Sequence, residues 1–202
     1  MQIYFAYRFL ALHTPEEKRV GILTLSKNIA FLTHKHLDDF ERIFDNDIND
    51  WIICDALANK VVTLFIRSHQ EYCQRIFSWK DCGKNWRMRA CCIIYVNFAK
   101  ERTDDCISIC TTCVKSSERF VQLGVGCLLR EMSLNSTDKV VGFIYENYRY
   151  FTREGLRYSI EKLDISTRKK ILGIGKGRNP GNIKTEPSPE PSPDLSQQMG
   201  VP

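Results

Sequence analysis

Asn49-Asp50-Trp51-Ile52-Ile53-Cys54-Asp55 and, 36 residues later, Asn85-Trp86-Arg87-Met88-Arg89-Ala90 open two stretches in which apolar residues recur at helical spacing. Trp51 and Asp55 stand at i and i+4, and Trp86 and Arg89 at i and i+3, so each pair projects from one face of its helix. The same rhythm extends in both directions. Helices beginning near Pro15, Asn49, Asn85, Glu118 and Phe151 are spaced by 34, 36, 33 and 33 residues. Each is followed by a shorter helix near His36, His69, Asp104, Ser136 and Ser166. A constant step holding two helices is the signature of stacked helical hairpins, each burying its apolar side against its neighbours.

The expected fold is therefore all-α, an α-solenoid. Tetratricopeptide repeats have a similar step, but their W-x2-L-G-x2-Y pattern is absent, which leaves HEAT-like hairpins as the better fit. Thr14 before Pro15, with Glu16 and Glu17 in the first turn, and Ser136 before Asp138 read as helix starts.

Proline and glycine agree with that reading. Of seven prolines in 202 residues none lies between residues 16 and 179, which suits long helices and excludes a turn-rich β-sandwich. Five of the eleven glycines fall in the last thirty residues. The chain thus divides into a helical domain over 1–172 and a Gly/Pro/Ser-rich tail over 173–202, too poor in apolar residues to order itself. Within the tail, Ile183-Lys184-Thr185-Glu186 matches the Ψ-K-x-E SUMO-acceptor pattern, and Ser188-Pro189 and Ser192-Pro193 match proline-directed phosphosites. With Lys169, Lys170, Lys176 and Arg178 these lean towards a nuclear setting.

Charge is uneven. Residues 1–78 carry 9 Lys and Arg against 10 Asp and Glu, whereas residues 79–172 carry 17 against 11. The basic second half is compatible with a polyanionic partner, although an ordinary solvated surface accounts for it more readily. Nine cysteines, an odd count without a secretory segment, indicate reduced thiols in an intracellular protein. The apolar start, Met1 to Leu12, is short and interrupted by Arg8, and reads as a helix rather than a signal. No apolar run is long enough to span a membrane.

Several chemistries are disfavoured. Cys106-x3-Cys110-x2-Cys113 has the spacing of a radical-SAM cluster motif, yet i, i+4 and i+7 also share one side of a helix, where buried thiols act as small hydrophobes. The four histidines form no H-E-x-x-H pattern and no paired C-x2-C knuckles exist, so no metal site is expected. Gly173-x-Gly175-Lys176-Gly177 lacks the Walker spacing, and no G-x-S-x-G elbow is present. What remains is the Trp51, Asp55 and Arg89 set. Equivalent positions of consecutive repeats line one concave surface, so these three can converge on a cleft; periodicity alone favours packed tryptophans and an interhelical ion pair.

Four ordered blocks resemble the AlkD-like DNA alkylation repair family, helical-repeat alkylpurine DNA glycosylases. Asn49 to Asp55 is similar to the family's N-N-W-D-L-V-D segment, and Asn85 to Ala90 to its W-x-x-R-R/A segment. Phe120-Val121-Gln122-Leu123-Gly124-Val125-Gly126-Cys127-Leu128-Leu129-Arg130-Glu131 is similar to a-I-G-W-v-L-R-E. Arg153-Glu154-Gly155-Leu156-Arg157-Tyr158-Ser159-Ile160-Glu161-Lys162 is similar to R-x-x-L-R-Y-A-I-E-K.

The resemblance implies a groove that grips alkylated duplex DNA and hydrolyses the N-glycosidic bond of cationic N3- or N7-alkylpurines, without a cofactor. It casts Asp55 as the carboxylate that stabilises the cationic sugar, Trp51 as an aromatic face on the order of 0.5–2 kcal/mol strong towards a cation, and Arg89 as a phosphate contact. Trp86, Arg87, Arg119, Arg153 and Arg157 are the accompanying DNA-binding candidates. Two departures stand out. Cys127 occupies the place of a lesion-flanking tryptophan, and the family's leading helical repeats have no counterpart before Met1. An exposed apolar first end is then expected, with a protein partner to cover it. A non-catalytic helical-repeat module binding DNA or protein is the alternative.

Overall fold

Thr14 sets the chain's first strong helix boundary. Its hydroxyl accepts from the Glu17 amide at 3.3 Å, the Glu17 carboxylate accepts from the Thr14 amide at 3.0 Å, and Pro15 fills the first helical position. A computed structural model, which describes residues 1–174, opens with α1 (Gln2–Leu10), α2 (Pro15–Lys27), α3 (Lys35–Asn46) and α4 (Trp51–Leu57). A π-helical turn (Ala58–Val62) carries α4 into α5 (Thr63–Ser68). There follow α6 (Cys73–Phe77), α7 (Asn85–Val96), α8 (Thr103–Cys113), α9 (Arg119–Met132), α10 (Thr137–Asn147), α11 (Arg153–Ser159) and α12 (Ile165–Gly173).

The expected helix starts recur closely: Asp50, Glu118 and Ser136 are the residues that precede α4, α9 and α10. One segment departs. The helix expected near His69 is broken into a 3₁₀ turn (Gln70–Tyr72), the short α6 and a second 3₁₀ turn (Ser78–Asp81). Its backbone follows its aromatic anchors: His69 and Tyr72 stack on Phe65, and Trp79 is buried with its indole N–H on Glu41 at 2.9 Å. The fold is all-α and solenoid-like. The tail motifs expected beyond Lys176 lie outside the described residues.

The first helices of successive pairs, α4, α7, α9 and α11, pack side by side. Met88 through Tyr95 of α7 are all buried, because α3, α4, α8 and α9 surround it. Close approach of α9 to α11 depends on Gly126, where an added Cβ would lie 2.9 Å from the Gly155 carbonyl oxygen and 3.1 Å from Tyr158. Gln122 closes the same seam, donating to the Ser116 and Tyr150 carbonyls at 2.9 and 3.1 Å and accepting from the Thr152 amide at 3.1 Å.

At the other end α1 packs on α2 through Ala6 and Leu10, and buried Lys18 reaches the Leu10 and Asp47 carbonyls. The outer side of α1 presents Tyr4 and Phe5 to solvent, as the turn after it does Leu12, and nothing among the described residues covers them.

Because backbone stands opposite Gly126, a Gly126→Ala change is expected to destabilise by about 1–3 kcal/mol, the usual scale for overpacking. Denaturant unfolding checks it; an unchanged midpoint would mean that α9 and α11 can separate freely.

Candidate functional site

Asp50 starts the site by ending a loop. Its carboxylate accepts the Ile52 amide at 2.7 Å, which fixes the first turn of α4 and leaves Trp51 standing 47% exposed at its tip. One turn on, Asp55 receives the guanidinium of Arg89 edge-on, Nε to Oδ1 at 2.8 Å and Nη2 to Oδ2 at 2.7 Å. The third nitrogen, Nη1, donates to the Phe120 carbonyl at 2.8 Å. Arg89 is only 5% exposed and is thus a strut joining α4, α7 and α9. Burial raises the Asp55 pKa above that of an ordinary aspartate, an effect the Arg89 fork opposes without cancelling.

Trp51, Asp55 and Arg89 form the floor of an open cavity of about 650 Å³. Its other wall comes from Arg119, Phe120, Leu123 and Arg130 of α9, and from Glu154, Arg157, Tyr158 and Glu161 of α11 and the turn beyond it. Four successive first helices therefore share one cleft, as equivalent repeat positions require. The Arg89 guanidinium carbon lies 5.9 Å from the Trp51 ring centre and 6.0 Å from that of Phe120. Trp86 is set behind the surface, stacked on Phe120 with ring centres 5.2 Å apart.

Of the other residues singled out by sequence, Arg119 and Arg157 line the cleft, Arg153 is exposed but stands outside its wall, and Cys127 is half-buried behind Tyr158. Burial pushes the Cys127 thiol up and lifts the neighbouring Tyr158 phenol to about 12, so both are neutral near pH 7. Arg87 is not brought to the cleft. It pairs with Glu41 at 3.2 Å and Asp45 at 2.8 Å, with 15% of its side chain exposed, and ties α7 to α3.

Phe120, Leu123, Arg130, Glu154, Tyr158 and Glu161 were not singled out by sequence. Their spacing carried a signal: Arg119, Leu123 and Arg130 follow one face of α9, and Glu154, Tyr158 and Glu161 recur at i, i+4 and i+7.

Cys106, Cys110 and Cys113 are fully buried along α8. Among the described residues no group of His, Cys, Asp and Glu is arranged to hold a metal ion. Among the described residues no helix is long and apolar enough to cross a membrane.

Arg87→Ala leaves the partly buried Asp45 carboxylate without its cation, whereas Glu41 keeps Arg75 and Trp79; the change is expected to cost about 2 kcal/mol in stability while leaving cleft binding unchanged, and paired thermal-melt and binding measurements separate the two. Glu41, pushed up by burial but pulled below the usual range by Arg75, Trp79 and Arg87, adds stability above the ordinary glutamate range. That contribution is lost as pH falls through its depressed pKa, so acid melts of Arg87→Ala and the parent chain converge at low pH.

A sequence model of the family described as DNA alkylation repair enzyme matches residues 3–163. A solved structure described as a predicted DNA alkylation repair enzyme from Enterococcus faecalis superposes with a TM-score of 0.72 at 16% identity. The match covers 81% of this chain and 76% of that one. No curated protein sequence matches significantly. The matched structure is bacterial and lends the nuclear expectation no support.

Proposed function

Because this chain belongs to the DNA alkylation repair enzyme family, we propose that it is a DNA glycosylase releasing cationic N3- and N7-alkylpurines from duplex DNA, with Asp55 as the catalytic carboxylate. The observation that carries this reading is the Asp55 and Arg89 pair at the floor of the cleft, beside an exposed Trp51.

Alkylation places a positive charge on the purine, so the base leaves as a neutral molecule when the bond to C1′ breaks and the charge passes to the sugar. A fixed carboxylate is worth most at that moment, because it stabilises charge that develops only as the bond breaks. Asp55 meets this need because Arg89 holds two of its oxygen lone pairs and so fixes its direction, while the others stay free for the sugar or for an attacking water. The water adds to C1′, its proton passes to the carboxylate or to solvent, and an abasic site remains. This parallels carboxylate stabilisation of oxocarbenium-like states in glycoside hydrolysis. Trp51 adds an aromatic face for the cationic ring. Arg119 and Arg157 meet the backbone phosphates.

One observation favours a second reading, a non-catalytic DNA-binding module. Cys127 stands where the resembling family has a lesion-flanking tryptophan, so one aromatic face is missing. The two readings differ in base release.

The wild-type chain is expected to release 7-methylguanine or 3-methyladenine from methylated duplex, and Asp55→Asn to slow release by about a hundredfold or more while binding duplex normally. Release by Asp55→Asn at the wild-type rate would refute the role of the carboxylate, and binding without release by the wild type would select the module reading. The rate also has a signed pH dependence. Only the ionised carboxylate acts, and burial raises its pKa, so the rate on bound substrate, after subtracting spontaneous depurination, rises with pH through a midpoint above the ordinary aspartate range.

A further inference from the structure

The cleft is nearly balanced in charge although the proposed ligand is a polyanion. It presents Arg89, Arg119, Arg130 and Arg157 against Asp55, Glu154 and Glu161. Each carboxylate is bound to an arginine of a neighbouring helix, and Arg157 alone among these arginines has no acidic partner among the described residues.

The α9 to α11 pairs differ in kind from the Asp55 and Arg89 strut. Arg119 grips Glu154 with two bonds, Nε to Oε2 at 2.8 Å and Nη2 to Oε1 at 2.6 Å, yet the two side chains are 62% and 50% exposed. Arg130 gives Nη1 to Glu161 at 2.9 Å, and Glu161 is 55% exposed. The other edge of Arg130 is held independently: Nε and Nη2 both meet Glu131, itself fixed by Lys162 at 2.8 Å. Removing Glu161 would therefore leave Arg130 in place with one edge open.

Arg119 and Arg130 are eleven residues apart on α9, three turns, so they share a face about 16 Å apart along the axis. That exceeds the reach of any single phosphate group and suits two phosphates of one nucleic-acid backbone. Solvent-exposed ion pairs of this kind contribute little to stability. As structural ties they are weak, and as occupants of two anion sites, a bidentate one at Arg119 and a single-bond one at Nη1 of Arg130, they are well placed.

We propose that Glu154 and Glu161 are built-in phosphate stand-ins: their carboxylates hold Arg119 and Arg130 in the free protein and are exchanged for two backbone phosphates when duplex DNA enters the cleft. This rests on the duplex-binding part of the preceding reading, and not on base release. The exchange gives the two glutamates a role in specificity. They oppose entry of DNA that offers only its charge, while a lesion that engages Asp55 and Trp51 supplies further binding that undamaged DNA lacks. Arg157, lying between them in sequence and without an acidic partner among the described residues, is the first cation available to an approaching backbone.

The test is the affinity of the full chain for unmodified duplex over a range of salt, with Glu154→Gln, Glu161→Gln and the double variant. Glutamine keeps the size and a hydrogen bond to arginine but loses the charge. Each single variant is expected to bind severalfold tighter at low salt, and the double variant about tenfold or more, with the log–log salt slope of the wild type, because the same arginines meet phosphate in every complex; a slope steeper by about 0.9 per variant would mean that the wild-type complex keeps its ion pairs and would overturn the proposal. Inorganic phosphate at matched ionic strength should compete no better than chloride. Variants that bind no tighter than wild type, or no detectable duplex binding by any of the four proteins, would overturn the proposal. So would competition by free phosphate as effective as that by duplex. Tighter binding without base release by the wild type would leave this inference standing while removing the glycosylase.

Discussion

The bidentate contact between Asp55 and Arg89 is the constraint on which the rest of the site depends. A guanidinium only 5% exposed is expensive to bury unless every donor edge is used, and here the edges go to Asp55 and to the Phe120 carbonyl. That need fixes three helices at once. It draws α4 and α9 onto α7, aims the carboxylate at the cleft, and places Trp51 and Phe120 within about 6 Å of the same cation. Geometry that stabilises the fold also directs the Asp55 carboxylate, which is oriented before any ligand arrives.

Charge within the cleft is graded by burial. The innermost pair is mostly buried, whereas the pairs of α9 with the α11 end of the cleft are open to water. Arg87, on the same helix as Arg89 but turned away from the cleft, belongs to neither class because Glu41 and Asp45 draw it back onto α3. A basic residue in a matched block is therefore not by itself a nucleic-acid contact; its helical phase decides.

Much of this was legible in the sequence. The step between Asn49, Asn85 and Glu118 gave the stacking of first helices, and the i, i+4 relation of Trp51 and Asp55 placed both on one face. Adjacent repeats allowed an interhelical ion pair between Asp55 and Arg89 as one of the readings that periodicity left open. Three things were hidden. Local aromatic stacking around Phe65, Tyr72 and Trp79 broke the helix expected near His69, which no periodicity announces. The direction of Arg87 depended on acids 42 and 46 residues away. The cleft's second wall, from Phe120, Tyr158 and Glu161, needed the close α9 to α11 approach that Gly126 permits, a three-dimensional fact with only a glycine to mark it.

The central claim is that a fixed Asp55 carboxylate favours positive charge at the sugar of a damaged nucleotide. The most direct measurement compares binding of the full chain to duplexes carrying either a cationic pyrrolidine in place of one deoxyribose or a neutral tetrahydrofuran at the same position. The account predicts tighter binding of the cationic duplex, by about tenfold, and loss of that preference in Asp55→Asn with affinity for the neutral duplex retained. Equal affinity of the wild-type chain for the two duplexes, or a preference that survives Asp55→Asn, would contradict it.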